Sequence, residues 1–296
     1  MMRELALRIS MLWIGVALLQ CVGFAQLTPT VTAEPNPIQV KKNPKDGADM
    51  VWVPAGAFLM GVSDAAILDM LNERTDYELV MFSDERPQHS VTLDGYWIYK
   101  YHVTAGQFRK FCLASKRNMP LQPDWSTDKM PVVNVTWKDA SDYAQWAEAV
   151  LPTEAQWEKA ARGTDGRRFP WGDSWNVNKC NNHGTQNPLA YGINPADGKK
   201  YHQCTPVGSY LTGASPYGVM DMAGNAWQWC RDWYSEDYYT HSARTNPQGP
   251  ATGDMHIMRG GSWGSTSKSV RTTVRLAQAP DDTMHDCGGF RCVVEK

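Results

Sequence analysis

From Gly163 onward the chain is dominated by glycine, proline, asparagine, aspartate and tryptophan, and no long helical or strand periodicity runs through it until the C-terminus. A stretch of that kind has few regular backbone ladders to lean on. It must fold into irregular structure held by its side chains. The chain is supplied for this: it carries 13 Trp and 12 Tyr, large side chains that fill a core where helices and strands are few. It has no tandem repeat of fixed period.

Upstream of Gly163 the patterns are more regular. Met50-Val51-Trp52-Val53-Pro54, a turn at Ala55-Gly56 and Phe58–Gly61 predict a hairpin. Ser90–Leu93 and Tyr96–Tyr99 flank Asp94-Gly95, a strong hairpin signal. Between these, Ala65–Leu71 predicts a short helix. Thr104 caps a helix with Phe108, Phe111 and Cys112, and Gln107 completes a capping box. Thr136 caps a second, whose Ala140, Tyr143, Ala144 and Ala147 form a buried face. Thr153 caps a third with Gln156 at the box position, and Gly163 ends it.

The N-terminus has the make-up of an export leader. Arg3 and Arg8 precede an apolar run from Ile9 to Leu19, and Gly23-Phe24-Ala25 offers a cleavage site after Ala25. Residues 1–25 are therefore expected to be a signal peptide, and the mature protein to be secreted or periplasmic. The run is short for a membrane span. An uncleaved anchor is one alternative. Lipid attachment at Cys21 is another, disfavoured by the bulky Gln20 before it. Residues 26–48, with Pro29, Pro35, Pro37 and Pro44, read as a flexible linker, followed by one domain over 49–296.

Seven cysteines less Cys21 leave Cys112, Cys180, Cys204, Cys230, Cys287 and Cys292. An even number in an exported protein permits disulfides, and Cys180 with Cys204 is the favoured pair because they flank one loop-rich segment. No paired C-x-x-C pattern points to structural zinc. The seven histidines show no metal spacing. The net charge of -2 carries no basic excess, so nucleic acid is not an expected partner.

Eight segments in order carry a family resemblance: MVWVPAGAFLMG (50–61), VTAGQFRKF (103–111), VVNVTWKDASDYAQWAEAVLPTEAQWEKAARG (132–163), FPWG (169–172), TPVGS (205–209), YGVMDMAGNAWQWCRDW (217–233), RGGSW (259–263) and GFRC (289–292). Together they resemble the formylglycine-generating-enzyme, or sulfatase-modifying-factor, family over nearly the whole mature chain. The resemblance implies an α+β domain of the formylglycine-generating-enzyme fold, C-type-lectin-like and low in regular secondary structure.

Enzymes of that family oxidise a substrate cysteine to formylglycine with oxygen, using copper(I) held by two cysteines just after the Gly-Gly-Ser motif. Those positions fall on Ser265 and Val270. Copper(I) wants soft thiolates, so no copper centre is expected. The family's structural disulfide uses the cysteine matching Cys292, but its partner position holds Ala144, and the other family helix cysteine corresponds to Ala161. Cys287 or Cys112 is then a partner for Cys292, or its thiol is free.

Calcium sites are expected to persist in a structural role. One uses Asp221, the carbonyls of Gly224 and Ala226, and Gln228 in place of the usual glutamate. The second uses Asn181, the carbonyl of Asn182, Asp197 and a carbonyl near Lys199 or Tyr201. Ser262, Trp263 and Ser265, with Arg275 nearby, are the expected lining of a cleft. Arg259, Arg275 and Arg291 are expected to pair with buried carboxylates such as Glu158 or Asp232. The expected function is a monomeric binding or accessory protein for a peptide, glycan or protein partner. An oxidoreductase of altered chemistry on the same fold, as in pyoverdine maturation, is the alternative, and a working sulfatase activator comes last.

Overall fold

A computed structural model of the chain describes residues 38–193 and 200–296. The expected leader and Asp197 lie outside the described residues. Two four-stranded sheets carry the fold. The first runs β1 (Val40–Lys42), β2 (Asp49–Val53), β5 (Tyr96–Tyr99) and β12 (Val293–Glu295), antiparallel throughout. The second runs β10 (Arg275–Gln278), β9 (His256–Arg259), β8 (Trp227–Trp233) and β11 (Gly288–Phe290), with only the last pair parallel. Two short ladders join β3 (Gly56–Met60) to β4 (His89–Leu93), and β6 (Tyr191–Ile193) to β7 (Lys200–His202). The helices are α1 (Asp64–Glu73), α2 (Ala105–Ser115), α3 (Trp137–Trp146) and α4 (Glu154–Arg162).

The helix starts follow the sequence pattern. Thr104, Thr136 and Thr153 each accept from the backbone three residues on and receive the reciprocal bond, the second through Asp139. These boxes satisfy amides that would otherwise be orphaned. Strands β2 to β5 were legible but their pairing was not. β2 and β3 enter different ladders, and so do β4 and β5, so neither expected hairpin forms. Gly95 is not there for a turn. A Cβ on it would lie 2.3 Å from the Trp52 ring, so the glycine makes room for that indole at a chain corner. Asn246 holds the same corner, accepting from the Asp94 amide and donating to its carboxylate.

Two further expectations are corrected. The linker ends earlier than residue 48: β1 pairs with β2, and the turn after it is anchored in the core. There the Asp46 carboxylate accepts from the Tyr99 and Tyr143 hydroxyls, at 2.8 and 2.6 Å. Proline content marked this segment as solvated, but Asn43 and Asp46 are buried. Disulfides are absent among the described residues as well: Cys112, Cys180, Cys204, Cys230, Cys287 and Cys292 are all free thiols.

α4 is buried along its whole length, between the β3–β4 ladder and the second sheet. Its first amide, that of Glu154, donates to Asp232 Oδ2 at 2.9 Å. Burial, and then the neighbouring Glu154 charge, push the Asp232 carboxyl up to about 7. The folded chain therefore holds a proton there that the unfolded chain releases near pH 3.8. Stability from this group is full below that pH and falls as pH rises toward 7. Asp232→Asn keeps an acceptor for the Glu154 amide and removes the penalty. It should raise stability at pH 8 by about 1–4 kcal/mol and flatten the pH dependence of the denaturant midpoint between about pH 4 and 7. An unchanged pH profile would refute this account of Asp232.

Candidate functional site

β9 ends at Arg259, and the loop beyond it opens with two glycines at positive φ, Gly260 at 95° and Gly261 at 75°. Gly261 is the pivot. A Cβ there would lie 2.7 Å from Val270 Cγ1 and 3.2 Å from Ser265 Oγ. The two positions that the copper pair would occupy thus both lie against Gly261. One brings a hydroxyl and the other a fully buried isopropyl group. Ser265 Oγ accepts from the Ser262 amide at 3.0 Å, and the Ser265 amide returns a bond to the Ser262 carbonyl. Val270 packs with Phe169, Cys180 and Ala223.

Trp263 completes this cluster. Its amide donates to the Asn225 carbonyl and its indole to that of Asp286. Ser262, Trp263 and Ser265 therefore lie together in one loop. Arg275 is not with them. Its side chain is fully buried, donates to both oxygens of Glu154 at 2.7 and 3.1 Å, and lies over the Tyr234 and Tyr239 rings. It is part of the core ion-pair network, which meets the expectation that it pairs with a buried carboxylate and sets aside its place beside the cleft residues. Arg259 does pair with Glu158, as expected. Arg291 finds no carboxylate and instead donates to Gln228 and to backbone carbonyls.

Two thiols border the cluster. Cys180 packs beside Val270, and Cys287, half-buried, meets the Ser262 hydroxyl. Burial pushes Cys180 up to about 12 and Cys287 up to about 11. Both are protonated at neutral pH. Neither is the ready thiolate that a soft metal or a nucleophilic step needs.

A groove approaches the cluster from α1. Its larger part, about 710 Å³, lies between α1 and the segment after α4, and its smaller part, about 310 Å³, reaches Ser267. Glu73, Arg168 and Asp173 line both parts, and Arg168 donates to Glu73 at 2.5 Å. Sequence inspection missed this groove, because its walls come from segments about 95 residues apart.

The expected ion-binding residues separate into two cases. Gln228 Oε1 accepts from Trp157 Nε1 at 2.8 Å and from Arg291 Nε at 2.6 Å. An amide oxygen has two lone pairs, and both are spent. Ala226 O is engaged by the His102 ring at 2.9 Å, and Asp221 Oδ2 accepts from the Gly208 amide at 2.7 Å. Burial pushes Asp221 up to about 6, against the opposing pull of that amide and of Arg291. Of the 221–228 set, Gln228 therefore has no free oxygen lone pair to offer an ion. Asn181 differs: its Oδ1 is buried and without a hydrogen-bond partner. Asn182 follows it with its own side chain turned back on the loop, donating to the Cys180 and Val177 carbonyls. Among the described residues no group of three or more His, Cys, Asp or Glu is placed to hold a metal ion.

Residues 37–296 match the family model of the sulfatase-modifying factor enzyme 1-like domain. The chain is 40% identical over 169 residues to the formylglycine-generating enzyme of Streptomyces coelicolor, covering 55% of this chain and 52% of that one. It is 35% identical over 170 residues to the inactive C-alpha-formylglycine-generating enzyme 2 of Mus musculus, covering 55% and 49%. The chain thus spans about half the length of these relatives, and less of some others. Among solved structures it resembles PvdO from Pseudomonas aeruginosa, with a TM-score of 0.68 at 26% identity, covering 87% of this chain and 98% of that one. No helix among the described residues is long and apolar enough to cross a membrane.

Proposed function

The chain belongs to the formylglycine-generating-enzyme (sulfatase-modifying factor) family, and from that premise we propose that it is an exported member without copper-dependent cysteine oxidase activity, acting as a binding or accessory protein. The observation that carries this reading is the convergence of Ser265 and Val270 beside Gly261. The positions suit a two-ligand metal site, and the side chains do not. A serine hydroxyl is a hard, protonated donor and valine is no donor, whereas copper(I) is held by soft sulfur.

The groove from α1 to Ser267 supports an extended polypeptide as the bound partner. It is long, open and lined by both carboxylates and guanidinium groups, which suits alternating backbone and side-chain polar groups. The likeness to an inactive relative is consistent with binding without turnover.

Incubation with copper(I), oxygen and a sulfatase-motif peptide tests the absence of oxidation. Mass spectrometry should find the peptide cysteine unchanged. Its conversion to the aldehyde would overturn the reading. Charge reversal at Arg168 in the groove should weaken capture of a peptide partner without disturbing the fold, since that side chain is partly exposed.

A further inference from the structure

Side chains alternate across a strand, so the register of the first sheet decides which residues share a side. Trp52 lies opposite Trp97, and Trp97 opposite Val294. Lys41 lies opposite Met50, two residues before Trp52, and Lys296 follows two residues after Val294. All six therefore belong to one side. At one end of that side Met50 and Tyr99 enter the core with residues of α2 and α3. At the other end Trp52, Trp97 and Val294 are only partly buried. The two indoles touch, with ring centroids 5.3 Å apart.

Each indole carries an ammonium group. Lys41 Nζ is 4.4 Å from the centre of the Trp97 ring, and Lys296 Nζ is 4.6 Å from that of Trp52. Lys45 stands over Trp146 in the same way, at 5.9 Å, at the margin of the same core cluster. All three lysines are exposed, and none has an ion-pair partner among the described residues. The carboxylates of these strands, Asp49 and Glu295, alternate to the opposite side, where Lys42 and Arg231 engage them. The result is an indole pair rimmed by unpaired positive charge. Indoles favour the boundary between acyl chains and water. Lysine lays its stem along apolar surface and keeps its charge in the polar layer, where anionic headgroups attract it. The chain also directs this face. Residues 1–37, with the apolar run Ile9–Leu19, join the sheet at Ile38. The next residue, Gln39, accepts from the Trp52 amide at 3.1 Å. The leader segment is thus tethered beside the indole pair.

We infer that this face docks on a bilayer surface bearing anionic headgroups, with Trp52 and Trp97 at headgroup level and Lys41, Lys45 and Lys296 against the phosphates. It shares no residue with the groove, so it stands or falls apart from the binding function proposed above. The chain from Gln26, its expected mature form, should float with phosphatidylglycerol vesicles and remain behind with phosphatidylcholine vesicles. High salt should release it. Joint Lys41→Glu and Lys296→Glu substitution should lower partitioning by at least about tenfold, and Arg168→Glu in the groove should leave it unchanged. Equal binding to both vesicle types, binding to neither, or an equal loss in the Arg168 variant would each overturn the inference. Lipids brominated near the headgroup should quench part of the tryptophan emission, and less of it in Trp97→Phe. Binding without quenching would mean that the face meets charge alone, as a soluble polyanion supplies it, and would overturn the inference too.

Discussion

Replacing Glu158 with alanine is expected to cost at least about 3–5 kcal/mol, the range for breaking a buried ion pair, and to leave little folded protein. Glu158 is fully buried in the middle of α4. One oxygen accepts from the Gly61 amide and from Arg162, both at 2.8 Å, and the other from Arg259 at 2.5 Å. Arg259 is equally buried and also donates to the carbonyls of Thr272, Thr273 and Val274. Arg275, through Glu154, extends the same network. Alanine would strand Arg162 and Arg259 in the core, and the remaining carboxylate, Glu154, is already paired with Arg275. Glu158→Gln retains an acceptor for the Gly61 amide and should cost less. Denaturant midpoints of both variants against wild type measure the difference. A loss below about 1 kcal/mol for the alanine variant, the scale of an exposed pair, would show that the network is not what holds α4 in place.

The second large effect is a gain. Converting both Ser265 and Val270 to cysteine should give the chain one tightly bound copper(I) per molecule, where wild type binds none at that point. The argument is geometric. Both side chains already approach one point beside Gly261, so two thiols there would face each other, and soft sulfur favours copper(I). Either single variant supplies one thiol and should bind far more weakly. Anaerobic titration against a colorimetric copper(I) chelator reads the affinity. A double variant that competes no better than wild type would mean that the two positions do not form a ligand pair, and the explanation for lost oxidase chemistry would have to be sought elsewhere.

Much of the scaffold was legible because its signals are local. Helix caps at Thr104, Thr136 and Thr153 need only neighbouring residues and appear where expected, with the box at Thr136 through Asp139 an addition. The strand segments were readable for the same reason. What failed was the choice of partner. Asp94-Gly95 has the composition of a tight turn, but its glycine answers to Trp52, forty-odd residues upstream. β8 escaped notice because its first four residues are all buried. With both faces covered, the period-two alternation that marks a strand vanishes. The candidate site divides in the same way. Ser262, Trp263 and Ser265 lie in one short loop and are legible as neighbours, while the groove residue Arg168 depends on contacts that sequence spacing does not reveal. Composition also misled where polar residues are buried in pairs, as at Asp46 with Tyr99 and Tyr143.

The placement of β11 and β12 has a consequence for how the chain must be assembled. Residues 288–295 give one strand to each four-stranded sheet: β11 lies beside β8, and β12 lies beside β5. Neither sheet is complete until this segment has arrived, although their other strands are spread over the preceding chain. Contacts so distant in sequence carry a large loop-closure cost and slow the search for them. Without residues 288–295 every helix is still available but neither four-stranded sheet is complete, so closure of both sheets is expected to be a late, joint step in folding.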